Sequence, residues 1–236
     1  MAGVTRLLDR IERYYDAVPR PAARVEEIGP FSLFVSTAPW PYYARPRLGG
    51  NPNEFTAAEV TTVRERQREL RLPEAFEWVH EVSPGLLAAA TAAGLAVAEL
   101  PLQLLTGAGP VSASRSADPA AGSAAGSGPE TSVQVRLLDA DDPALAAAQA
   151  VASVGFAHGG TAIGAAGTAE RDRAVGEQAE DAHRLLRSRI RTGATVVAVA
   201  EDGTGPIGVG SHQPMGDVTE IVGVATLPAA RRRGVG

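Results

Sequence analysis

Apolar residues recur at helical spacing over residues 1–17, where Val4, Leu7, Leu8, Ile11 and Tyr15 fall on one side of a helix. The pattern predicts a short amphipathic helix whose role is packing. Residues 31–35 and 42–46 read as strands, with Pro39, Trp40 and Pro41 turning the chain between them. Residues 56–70 predict a helix that opens on a capping box, Thr56 and Glu59 each satisfying an orphan backbone N–H of the first turn. A strand over 76–80 follows. Ser83 and Pro84 then open another helix, Ser83 as its cap, and Gly94 closes it. Residues 95–105 predict one more strand.

The pattern then lapses. Residues 106–131 are Gly, Ala, Ser and Pro with almost no large apolar side chain. Burial there cannot offset the entropy of ordering, which predicts a flexible linker. The chain divides into an N-terminal α+β domain (1–105), the linker (106–131) and a second domain (132–236). The second domain opens with a strand over 133–138 and a helix from Asp142 and Pro143 to Phe156. A Gly-rich loop (158–167) and one long charged helix (168–191) follow. Strands are predicted at 195–200 and 207–211, with turns at 201–203 and 216–217.

The last stretch, 219–236, carries the chemistry. Residues 220–227 form an apolar, β-branched strand with Glu220 near its start, and alternation places Glu220, Val222, Val224 and Thr226 on one face. The strand ends at Pro228 and runs into Arg231, Arg232, Arg233, Gly234, Val235 and Gly236. A buried strand entering a basic, glycine-containing turn brings bare backbone N–H groups up to a phosphate. The spacing is not that of a Walker loop, and the third glycine of a dinucleotide fingerprint is missing.

Arg231, Gly234 and Gly236, placed directly after a strand, resemble the R-x-x-G-x-G acyl-CoA loop of the GNAT superfamily of N-acetyltransferases. Glu220 stands eleven residues before Arg231, as does the general-base glutamate in the histone-acetyltransferase branch of that family. The resemblance implies a GNAT-like acyl-CoA N-acyltransferase fold: α+β, with a mixed, mostly antiparallel sheet flanked by helices. It also implies a fold incomplete at its C-terminus, since in the family a long helix, further strands and another helix follow the motif. Acetyl-CoA would be the co-substrate. Arg231, Arg232, Arg233, Gly234, Val235 and Gly236 would hold its pyrophosphate, and the backbone of Val224, Ala225 and Thr226 would pair with its pantetheine arm. A backbone N–H of this strand would polarise the thioester carbonyl.

Glu220 would be the catalytic base. An amine arrives as an ammonium ion and must lose a proton before attacking a thioester. A carboxylate in a partly apolar cleft has its pKa raised towards neutrality, which suits that role. No tyrosine follows Tyr43, so the residue that protonates the leaving thiolate in the family either lies beyond Gly236 or has its role unfilled. The helix–strand–helix–strand order of 56–105 is that of the fold's back half, so a degenerate GNAT-like unit is one expectation for the first domain.

Composition narrows the partners. A length of 236 residues allows one large or two small cores, and a net charge of −5 gives nucleic-acid binding no global support. All 22 basic residues are arginine, which, with the heavy use of Ala, Gly and Pro, reads as codon bias. The absence of cysteine excludes disulfides, thiolate metal sites and cysteine nucleophiles, and fits a cytoplasmic protein. No stretch approaches a membrane span of about 20 apolar residues. No histidines are paired at metal-binding spacing, so no metal is expected. His158 and His212 are further candidates for touching the acceptor, which is expected to be a small-molecule or peptide amine. Two other readings compete: an acyl-CoA-binding sensor or scaffold without turnover, and an interaction protein whose three arginines meet an acidic partner.

Overall fold

The computed structural model describes residues 2–37, 41–51, 53–102, 133–178 and 180–235. The expected linker, the end of the 95–105 strand, Pro39, Trp40 and Gly236 lie outside the described residues.

The first half is built on a three-stranded antiparallel sheet of β1 (Ala23–Ile28), β2 (Phe31–Ser36) and β3 (Ala44–Pro46). Strand β1, with its arginine and two glutamates, has too little apolar periodicity to read as a strand. Its pairing with β2 along the whole length makes it one. Behind the sheet lie α2 (Ala57–Glu69) and α3 (Gly85–Ala92). The capping box forms, with Glu59 N–H donating to Thr56 Oγ1 at 3.2 Å and Thr56 N–H to Glu59 Oε2 at 2.9 Å. Pro84, not Ser83, occupies the cap of α3. Gly94 leaves that helix at φ +83°, a left-handed position that suits glycine. The strand expected at 76–80 reduces to one parallel bridge between Phe76 and Ala44, and residues 95–102 form no strand.

Alternation sorts the sheet into two faces. Phe31, Leu33 and Ala44 pack with Val60, Val63, Leu86 and Ala90 of α2 and α3, all with no exposed surface. The opposite face carries Ser32, Phe34 and Arg45, and here α1 (Ala2–Ala17) lies. Arg45 is 1% exposed and donates to Glu12 Oε2 of α1 at 2.7 Å.

The second half is a four-stranded antiparallel sheet in the order β4-β5-β6-β7: β4 (Gln134–Leu137), β5 (Val196–Asp202), β6 (Gly205–Met215) and β7 (Val218–Thr226). Between β4 and β5 run α4 (Leu145–Ala157), α5 (Thr168–Gly176) and α6 (Glu180–Arg191). The single helix expected over 168–191 is thus two. Gly176 ends α5, and the helices serve different anchors. The buried Arg171 of α5 donates to the carbonyls of Thr204, in the β5–β6 turn, and Pro206, at the start of β6, at 3.0 and 2.8 Å. Leu186 and Ile190 of α6 pack on the Leu138, Val197 and Val199 cluster.

Helix α4 crosses β7 closely because residue 155 is glycine: a Cβ there would stand 2.8 Å from Ala225 Cβ. The architecture is α+β, with antiparallel sheets flanked by helices. Among the described residues no helix is long and apolar enough to cross a membrane.

The buried ion pair makes a stability prediction. Glu12→Ala leaves Arg45 charged and unpaired in the interior and is expected to cost about 3–5 kcal/mol. Replacing both partners by Leu and Met should recover most of that loss, and urea midpoints of the three chains would measure it.

Candidate functional site

Strand β7 is the edge of its sheet, and its pairing with β6 is interrupted. Val222 faces Ser211 and Ala225 faces Val209, so Gly223 and Val224 together oppose Gly210. This is a β-bulge, with Gly223 in the left-handed region at φ +65°. Ser211 Oγ donates to the Val222 carbonyl beside it at 3.0 Å. The bulge overturns simple alternation. Glu220 and Val222 share a face with Ala225 and Leu227, while Val224 and Thr226 turn to the opposite face, where Val224 sits over Gly210. Val224 is 52% exposed there. Along the other edge of β7, away from β6, no strand pairs among the described residues.

After Leu227 the chain makes a 3-10 turn over Pro228–Ala230 and enters the basic segment. The three arginines differ. The Arg231 guanidinium donates to the carbonyls of Gly155, His158 and Ala162 at 3.1, 2.5 and 3.2 Å. It ties the turn to the carbonyl end of α4, where a cation suits the helix dipole. Arg232 is exposed at φ +61°, and its Nε lies 3.4 Å from the Thr161 carbonyl. Arg233 is exposed and lies 3.4 Å from Asp202 Oδ2. Gly234, exposed at φ +71°, has nothing within 4 Å of its missing Cβ. Val235 folds back onto β6, its Cγ1 2.6 Å from where a Cβ of Gly208 would stand. The segment therefore offers open backbone and two cationic side chains over 232–234, a donor set suited to an anionic phosphate.

Glu220 is half-buried at the far end of β7, against α1. Its Oε1 accepts from the Tyr15 hydroxyl at 3.1 Å. Its backbone N–H donates to the Tyr14 hydroxyl at 3.0 Å, and that hydroxyl donates to the Gln213 carbonyl of β6 at 2.7 Å. Gln213 and Glu220 are register partners, so the Tyr14 hydroxyl bridges the two strands. Burial raises the Glu220 pKa, and the Tyr15 hydrogen bond opposes the rise. Burial, with the charge of Glu220 nearby, pushes Tyr14 up to about 12 and also raises Tyr15, so both phenols remain donors. Glu77 keeps solvent access, yet surrounding protein raises its pKa, and Glu220 adds to the rise.

Of the residues picked from the sequence, Glu220 and the 231–235 turn therefore sit at opposite ends of one strand, with the bulge between them. His158 Nδ1 is engaged with the Val154 carbonyl at 2.9 Å, and His212 Nδ1 with Thr219 Oγ1 at 2.8 Å. Sequence reasoning gives Tyr14, Tyr15 and Tyr43 no place at the site. The available signal is a tyrosine pair on an amphipathic helix, since a buried phenol needs a hydrogen-bond partner. No group of three or more His, Asp or Glu among the described residues could hold a metal ion.

No protein-family model matches the chain, and no curated protein matches it. Among solved structures it is similar to a GCN5-related N-acetyltransferase from Kribbella flavida. The TM-score is 0.52 at 16% identity, over 96% of this chain and 75% of that one. The likeness is one of fold, and it extends over both sheets.

The raised pKa of Glu220 has a consequence for stability. A carboxyl that holds its proton more tightly when folded makes stability fall as pH rises from the ordinary carboxylate range through its raised pKa. Glu220→Gln removes that penalty. The variant is expected to be more stable than the parent near neutral pH, with the gain gone below about pH 4, in paired thermal melts.

Proposed function

We propose that the chain is an N-acetyltransferase that moves the acetyl group of acetyl-CoA directly to a primary amine. The observation that carries this reading is one continuous stretch: a half-buried carboxylate, a bulged edge strand and a solvent-facing basic turn. The stretch lies in a fold similar to that of a GCN5-related N-acetyltransferase. In this reading the chain has two domains, 1–105 and 132–236, and the coenzyme-binding strand and turn lie in the second.

The open backbone over 232–234 and the heads of Arg232 and Arg233 take the pyrophosphate. The free edge of β7, at Val224, Ala225 and Thr226, takes the pantetheine amides as an added strand would be taken. Acetyl-CoA supplies an activated acyl group as a thioester. Glu220 accepts a proton from the acceptor ammonium. The freed nitrogen lone pair forms a bond to the thioester carbon, and the C–S bond breaks with its electron pair going to sulfur. The nitrogen gives up a second proton, and sulfur gains one. The sum is ammonium plus acetyl thioester giving amide, thiol and one proton.

A second reading is an acyl-CoA-binding module without turnover, which shares the coenzyme site and differs only in the chemistry at Glu220.

Calorimetric titration of acetyl-CoA into the full chain tests the coenzyme site, with one-to-one binding expected. Arg232→Gln and Arg233→Gln should weaken binding in a salt-dependent way, whereas Arg231→Gln should weaken it by loosening the turn. With primary amines as acceptors, Glu220→Gln is expected to lower turnover by about 10²–10⁴-fold with coenzyme binding intact. Binding by a parent chain that acetylates none of them would establish the module instead. Absence of binding would overturn both readings.

A further inference from the structure

Glu220 is held at two points, and both grips come from the other half of the chain. We propose that Tyr15 of α1 is a positioning residue for the Glu220 carboxylate, so that the reacting site is built jointly by both halves. The proposal rests on the acyl-transfer reading above. Consecutive residues of one helix make the two grips. Tyr14 fixes the Glu220 backbone through its N–H, and Tyr15 fixes the carboxylate through Oε1. Oε2 takes no hydrogen bond among the described residues, which leaves it to receive the acceptor's proton.

The Tyr15 ring is itself held. It stands edge-on to Tyr14 with ring centroids 5.5 Å apart, and the Arg45 guanidinium lies 5.7 Å from its centroid. Arg45 is fixed in turn by Glu12. The Tyr15 carbonyl accepts from the Tyr43 hydroxyl at 3.3 Å. A hydroxyl on so braced a ring sets the direction of the carboxylate, which a flexible partner would not.

The titratable groups that bear on Glu220 come from several elements. Tyr14 and Tyr15 belong to α1, and Tyr43 stands just before β3. Glu77 follows the Phe76 bridge. His212 of β6 is registered with Ile221 and bonds Thr219, so it lies on the other face of the hairpin from Glu220. A donor to the ionised carboxylate favours the charged form, so Tyr15→Phe must make Glu220 harder to ionise.

The test is a carbon-13 NMR titration of the full chain carrying carboxyl-labelled glutamate, with the Glu220 resonance assigned by its loss in Glu220→Gln. Tyr15→Phe is expected to move the Glu220 midpoint upward, with acetyl-CoA binding retained in calorimetry. Tyr42→Phe should leave the midpoint in place. Incorporation of 3-fluorotyrosine at position 15, a stronger donor of nearly the same shape, should move it downward. This second variant carries the test if Tyr15→Phe does not fold. A Glu220 midpoint that responds to neither change at position 15 overturns the proposal. Loss of acetyl-CoA binding in parent and variants alike overturns the acyl-transfer reading instead, and is recognised because it does not depend on residue 15.

Discussion

The constraint on which the rest of the structure turns is that α1 is shared. One side of this helix lies on the three-stranded sheet, where Glu12 closes the charge of the buried Arg45. Another side lies on the β6–β7 hairpin, where Tyr14 bridges the ladder and Tyr15 meets Glu220. A charge as deeply buried as that of Arg45 demands a partner, because an uncompensated charge in the interior costs several kcal/mol. Once Glu12 supplies it, the rotation of α1 about its axis is set. Tyr14 and Tyr15, two and three residues on, are then delivered to the hairpin in one orientation. The polar residues of the interface thus fix geometry more than they add stability.

The bulge at Gly223 is the second constraint, acting within β7. Without it the strand would keep one parity from Glu220 to Thr226. The inserted residue lets Glu220 share a face with α1, while Ala225 and Leu227 still meet α4 and Val224 turns to the open face. Glycine is the residue that permits this with little strain, since a left-handed φ costs other residues roughly 1–2 kcal/mol. Gly155 on α4 complements it: a helix with a side chain at that point could not lie so near Ala225.

Much of this was legible in the sequence where the cause is local. The capping box at Thr56, the turn at Gly216, the apolar runs of β2, β5 and β7, and the arginine–glycine turn all follow from nearest-neighbour chemistry. What was not legible depends on partners distant in the chain. β1 is a strand because of β2 and because Arg66 of α2 binds Glu26 at 2.7 Å, holding its pKa at about 2. Residues 76–80 look like a strand but find one bridge only. The expectation that Glu220, Val222, Val224 and Thr226 share a face fails because a bulge is a property of a strand pair, not of a strand. Tyr15 read as packing because the residue that receives its hydroxyl lies in the other half.

In the arginine turn, residues that look alike in the sequence take different parts in the fold. As a sequence the three arginines are equivalent, and each could be assigned to a phosphate. In the fold Arg231 is committed to three carbonyls around the end of α4, so its charge is largely occupied in holding the turn. Beyond that anchor, Arg232 and Gly234 both take left-handed backbone and are exposed. Arg231 acts as a mount for the turn, while Arg232, Arg233 and Gly234 stay exposed. A carboxylate at one end of β7 and a mounted turn at the other are then spaced by the strand itself. The bulge between them decides which face each of them serves.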